Sequence, residues 1–159
     1  MNFGEQYVAS AFQSLGYFII RGLRVGVREA DLLAVKLTDS GAEYYHVEVQ
    51  ISYHAVGVLR AHAGFGKTDS DPSQAAEDYI NKKFFQKDVV KTIEKIFGTS
   101  KYKKVFVYGD LKRPEQLKVF KDKGVECRSL NDLIAEASKS SHKTDEFTNF
   151  FNISKLKSE

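Results

Sequence analysis

The sequence predicts an α/β fold, a mixed central sheet flanked by helices, with elements in the order α-β-β-β-α-β-α-β-α. An amphipathic helical stretch comes first, at residues 2–15. Three strand-like segments follow at 17–23, 30–35 and 45–54, separated only by turn-rich spacers. Two short apolar strands, at 104–108 and 125–128, then alternate with helical stretches. A three-strand meander followed by helix and strand gives a mixed sheet with helices on both faces.

In the first helix, Phe3, Tyr7, Val8, Ala11, Phe12 and Leu15 fall on one face, and Gly16 ends it as a C-cap. Tyr17 to Leu23 reads as a strand, and Val25-Gly-Val27 as a hairpin turn. Ala30-Asp-Leu-Leu-Ala-Val35 is apolar on both faces apart from Asp31, the pattern of a covered central strand. Thr38-Asp-Ser-Gly41 is a turn. In the run YYHVEVQISYH, alternation puts Tyr45, Val47, Val49, Ile51 and Tyr53 on one face and His46, Glu48, Gln50, Ser52 and His54 on the other. That polar face either looks at water, as in a half-buried antiparallel strand, or turns Glu48 and Gln50 into a reaction site.

Residues 54–73 form a glycine-containing loop. Asp71 as N-cap, Pro72 at the first helical position and Gln74 then open a helix that runs to about Phe97, with a break near Asn81. Pro114 opens a further helix, and a last short one spans 131–138. The expected organisation is one domain over 1–138, followed by a polar tail at 139–159 with a candidate short helix at 146–153.

A chain of 159 residues is long enough for one proper core. One cysteine, Cys127, excludes an internal disulfide framework and fits a reducing cytoplasm; in its strand context it reads as a buried, inert thiol. No signal-peptide pattern and no membrane-length apolar run is visible, so the expected setting is cytoplasmic, with no membrane partner. Charge is unevenly spread. Residues 1–80 hold 6 Lys and Arg against 10 Asp and Glu, a net −4, while residues 81–159 hold 18 against 11, a net +7. A cation site beside a polyanion-binding surface has this character.

Asp31 stands in an otherwise apolar strand, where a carboxylate must be paired, protonated or metal-bound. Glu48 lies on the next strand, within reach across the ladder, and Gln50 lies roughly 6.6 Å further along the same face. Two carboxylates and an amide gathered at one point suit a hard cation.

Gly4-Glu5-x-x-Val8-Ala9, Leu15-Gly16-Tyr17, Ala30-Asp31-Leu-Leu-Ala34 and Val47-Glu48-Val49-Gln50 together resemble the PD-(D/E)XK nuclease superfamily, with the nearest likeness to archaeal Holliday-junction resolvases and restriction-type endonucleases. The likeness covers roughly residues 3–110 in element order, and it implies a restriction-endonuclease-like αβββαβ core. It also implies a Mg²⁺-dependent endonuclease, with Mn²⁺ as a substitute, in which Asp31 and Glu48 bind metal, Glu5 helps hold the metal and its water, and Gln50 orients the water. Gln50 stands where the family usually has lysine, and glutamine brings hydrogen bonds but no charge. Lys36 and Lys67 are candidate replacement cations. Ala30 replaces the proline that usually precedes the aspartate.

Simpler roles stand beside these. Glu5 completes a capping box with Asn2, and Asp31 pairs with Arg28 or Arg21. Lys83, Lys87, Lys91 and Lys95, four apart on one helix, make a ridge that follows a phosphate backbone or is merely a solvated face. His46, His54 and His62 lack a zinc spacing. Ala61-His-Ala-Gly-Phe-Gly-Lys-Thr68 loosely matches a phosphate loop, but acidic residues follow the lysine and the helix starts too late, so no nucleotide cofactor is expected. The expected partner is DNA, and a homodimer stays open. A catalytically inactive nuclease-fold module that binds nucleic acid or protein is the alternative.

Overall fold

The computed structural model describes residues 3–51, 72–109, 111 and 114–140. The elements are α1 (Phe3–Ser14), β1 (Tyr17–Val25), β2 (Arg28–Thr38), β3 (Gly41–Gln50), α2 (Pro72–Phe84), α3 (Lys87–Phe97), β4 (Lys103–Tyr108), α4 (Gln116–Asp122), β5 (Val125–Ser129) and α5 (Leu130–Ser138). The strands lie side by side in sequence order, β1-β2-β3-β4-β5. The first three pair antiparallel, and β3/β4 and β4/β5 pair parallel. The mixed sheet and the αβββαβ order are as the sequence predicts.

Local chemistry sets the hairpins. Val25 faces Arg28 across a two-residue turn in which Gly26 takes φ 63°, a value that costs glycine nothing. The next turn is closed by Thr38 Oγ1, which donates to the Gly41 carbonyl at 2.8 Å. Both parallel pairings need helical crossovers, supplied around α2–α3 and by α4.

The helices make two outer layers. On one face Tyr7, Val8, Ala11 and Phe12 of α1 and Leu133 of α5 pack on Leu32, Ala34, Val47, Val49, Val105 and Val107. On the other, Ala76, Tyr79, Ile80 and Phe84 of α2 and Phe120 of α4 gather around Phe106. Beside them Val89, Ile93 and Phe97 of α3 cover Leu33. Each buried aromatic or aliphatic side chain contributes roughly 1.5–3 kcal/mol of burial. The first helix differs from its prediction in one respect: Phe3 is exposed, while Ala9 and Ser10 join the buried set, Ala9 in the cluster that α1 shares with Leu133 and Ala137 of α5.

The helix expected to reach Phe97 is two helices. Asn81 is helical, and the break falls at Phe85–Gln86, where Gln86 adopts an extended backbone with φ −64° and ψ 128°. At about 100° per residue, an unbroken helix would point Phe84 away from Val89, Ile93 and Phe97. All four are buried, so the joint rotates α3 until its apolar stripe meets the sheet. The same joint breaks the lysine ridge: Lys83 belongs to α2, and Lys87, Lys91 and Lys95 to α3.

The polar face of β3 does not look at water. Residues 45–49 are buried on both faces, His46 and Glu48 fully so. The 54–71 part of the loop, with Lys67, the phosphate-loop pattern, His54, His62 and the Asp71 cap, lies outside the described residues, as do Asn2 and the tail beyond Ser140. Among the described residues no helix is long and apolar enough to cross a membrane.

Candidate active site

β2 and β3 run antiparallel with Leu32 opposite Val47. One step further along, Asp31 and Glu48 oppose each other, close enough for the charge on Glu48 to act on the Asp31 carboxyl. Strand alternation turns both toward the face covered by α2 and α3. Asp31 Oδ2 accepts the backbone N–H of Val49 at 2.8 Å, which fixes the carboxyl against the edge of β3. On the other side of Asp31 the β1/β2 register brings up Gly22 at φ 58°, and a Cβ there would come within 2.8 Å of Glu29 Oε1.

The cation in this cluster is Lys83. Its Nζ lies 2.6 Å from Glu48 Oε2 and 3.3 Å from Asp31 Oδ1. The ammonium also points at the Glu29 carbonyl, 3.5 Å away. The remaining Glu48 oxygen, Oε1, lies 2.8 Å from His46 Nε2. His46 is wholly buried, its ring against Phe84 at 4.9 Å, and burial holds its pKa down at about 3. The imidazole is therefore neutral at pH 7 and donates from Nε2, which leaves Nδ1 as the bare nitrogen; Nδ1 has no partner among the described residues.

Burial dominates the carboxyl groups as well. It pushes Asp31 up to about 7, helped by the charge on Glu48 and opposed by Lys83 and the Val49 N–H. Glu48 is raised by burial too, against the pull of the Lys83 ammonium. Lys83 is itself raised, because Glu48 and Asp31 outweigh its own desolvation. Near neutral pH the Asp31 carboxyl, raised to about 7, is therefore partly protonated.

Gln50 sits two residues beyond Glu48 on the same face, half-buried, with Tyr108 of β4 beside it. Glu5 is half-buried on α1, which packs on the opposite face. Its charge nonetheless acts on Tyr79 together with those of Glu48 and Asp31, so Glu5 stands at the same end of the sheet. Among the described residues no three His, Cys, Asp or Glu side chains gather as a metal-holding group. Asp31 and Glu48 meet at Lys83.

Lys36 is no replacement for the missing lysine. Its parity puts it on the opposite face of β2 from Asp31, and its ammonium lies over the Tyr17 ring at 4.8 Å. Of the simpler partners expected for Asp31, Arg28 reaches Asp88 at 4.0 Å and Arg21 donates to Gln13 Oε1 at 3.0 Å. Lys87 and Lys91 are exposed on α3. A cavity of about 370 Å³ lined by Ala42, Glu43, Tyr44, Lys101, Tyr102 and Lys103 lies at the far end of β3, away from the carboxylates.

Sequence reasoning put Lys83 on the ridge and missed its role here. The signal was present, since the apolar phase changes between Phe84 and Val89, but the break that it implies frees Lys83 from the α3 face. Glu48 Oε2 and Asp31 Oδ1 are hard oxygens that converge on one positive charge, the Lys83 ammonium, and a divalent cation taking its place would meet the same two donors.

No known family matches the sequence. No curated protein matches it either. Similar solved structures include a protein of unknown function, AF1548, with 14% identity and a TM-score of 0.47 over 90% of this chain and 61% of that one. Pyrococcus furiosus SfsA in complex with Ca²⁺ has 18% identity and a TM-score of 0.34, over 80% of this chain and 53% of that one. The chain spans less than two thirds of either.

Proposed function

We propose that this chain is a metal-dependent endonuclease of the PD-(D/E)XK kind that hydrolyses DNA phosphodiester bonds. The supporting observation is the buried Asp31–Glu48 pair, opposed across β2 and β3 and drawn to one cation, Lys83. Burying two carboxyl groups against each other is costly, and an apolar pair would fill the same space more cheaply. A site for a positively charged reactant accounts for their retention.

Asp31 and Glu48 hold Mg²⁺, or Mn²⁺ in its place. The bound ion supplies polarisation of a phosphoryl oxygen and a lowered pKa for the attacking water. The Val49 N–H orients Asp31, and the His46 N–H orients Glu48. Lys83, released from the carboxylates, supplies the positive charge toward the developing phosphorane that Gln50 lacks. Gln50 orients the water by hydrogen bonding, Glu5 assists from α1, and Lys87 and Lys91 attract the phosphate backbone.

A second reading has one observation in its favour. Lys83 already neutralises the pair, and Gln50 adds no charge, so the cluster also suits a catalytically inactive module that binds nucleic acid or a protein. The deciding experiment is cleavage of supercoiled plasmid, linear duplex, single strand, four-way junction and RNA with Mg²⁺ or Mn²⁺, beside Asp31→Ala and Glu48→Ala. DNA cutting that needs metal and disappears in both variants supports the nuclease. A folded wild type that cuts nothing, yet binds DNA with or without Asp31 and Glu48, supports the module.

A further inference from the structure

Tyr79 lies on α2 four residues before Lys83, so the two side chains leave the helix on the same face. It is 3% exposed, with its ring 5.7 Å from Phe106 and 6.0 Å from Phe120. The other rings in this cluster are mostly phenylalanines, and for packing alone a phenylalanine would serve at position 79 as well. The hydroxyl is therefore the atom that needs a reason. It is buried and has no hydrogen-bond partner among the described residues, a state that costs free energy unless something else completes it.

Its surroundings narrow what that something is. The hydroxyl stands close enough to Glu48, Asp31 and Glu5 for all three charges to act on it. The acceptor oxygens of the central pair are already engaged, Glu48 Oε1 with His46, Glu48 Oε2 with Lys83 and Asp31 Oδ2 with the Val49 N–H. A donor left over beside a carboxylate pair lacks an oxygen that arrives from outside.

We propose that Tyr79 is a positioning residue of this site, its O–H donating to a water that enters with the divalent cation held by Asp31 and Glu48. The inference rests on the metal-binding reading of that pair and adds a residue from α2. Helix α2 then serves the site twice, through Lys83 and, one turn earlier, through Tyr79.

The test is calorimetric titration of Mn²⁺ into wild type, Tyr79→Phe, Phe97→Leu and Asp31→Ala, with urea unfolding of each protein and water-proton relaxation by the bound Mn²⁺. Tyr79→Phe keeps the ring contacts and removes one donor. It should bind Mn²⁺ about tenfold more weakly, the scale of one hydrogen bond, without a lower unfolding midpoint. Its relaxation signal, which reports water held at the ion, should change, whereas that of Phe97→Leu, a core change on α3, should stay as in wild type. Unchanged Mn²⁺ affinity and relaxation in Tyr79→Phe would overturn the inference, whatever its stability. Wild type that binds no Mn²⁺ would overturn the metal-binding reading and this inference together.

Discussion

Nζ of Lys83 on α2 stands 2.6 Å from Oε2 of Glu48 on β3, while the position two residues beyond Glu48 holds glutamine. The positive charge at the carboxylates thus arrives from a helix across the sheet face, not from the strand that carries Glu48. A charge delivered from a separate element can approach or withdraw without disturbing the β-ladder.

Lys83→Met should abolish most cleavage, by about a hundredfold or more, as expected when one charge-stabilising donor is lost. It should also destabilise the fold by about 2–4 kcal/mol, because Glu48 keeps its burial and loses its counter-ion. Adding Gln50→Lys to that variant restores a cation on the same face of β3 and should recover part of the activity. Plasmid cleavage rates and urea unfolding of the single and double variants check both statements. Full activity in Lys83→Met would exclude the lysine from the reaction.

The pH dependence of stability has a definite sign at Asp31. Its folded-state pKa is raised to about 7 from 3.8, mainly by burial, so the folded chain retains a proton that the unfolded chain has lost. The associated stability is fully present below the unfolded value and drains away as pH rises from about 4 to about 7, at up to about 1.4 kcal/mol per pH unit. Asp31→Asn has no such proton to lose. The stability of wild type relative to Asp31→Asn should therefore fall across this window and level off above it, measured by urea unfolding at a series of pH values. A difference that does not vary with pH would mean that Asp31 is ionised throughout.

Cys127 should be a slow nucleophile. Burial raises its thiol to about 11, well above the ordinary thiol range, so little thiolate is present at pH 8. Alkylation by iodoacetamide should run about a hundredfold slower in the folded protein than in urea, as followed by mass spectrometry. Equal rates would show the β5 thiol to be open to reagents.

Much of this was legible beforehand, for identifiable reasons. Alternation in β3 and the isolated acid in β2 fixed which side chains could meet, because the side-chain period of a strand leaves two choices and the ladder couples them. The helix pair was harder. Four lysines at four-residue spacing read as one face, and the local pattern contains no glycine or proline to mark the joint. The change of apolar phase between Phe84 and Val89 is the local trace of the joint, and it becomes a demand once the sheet buries Phe84 together with Val89, Ile93 and Phe97. His46 was similarly opaque: nothing in YYHVEVQ says that its imidazole lies buried against Glu48.

The joint at Phe85–Gln86 also sets where this chain can tolerate a change in length. One residue inserted within α2 ahead of Lys83 would swing its side chain by about 100° and carry the ammonium off the carboxylates. The same insertion at the extended Gln86 leaves Lys83 and Tyr79 in phase and disturbs only how α3 seats on Leu33. The segment from Ala76 to Phe84 therefore has a fixed count, and the boundary just after it is where added or lost residues do least harm to the chemistry.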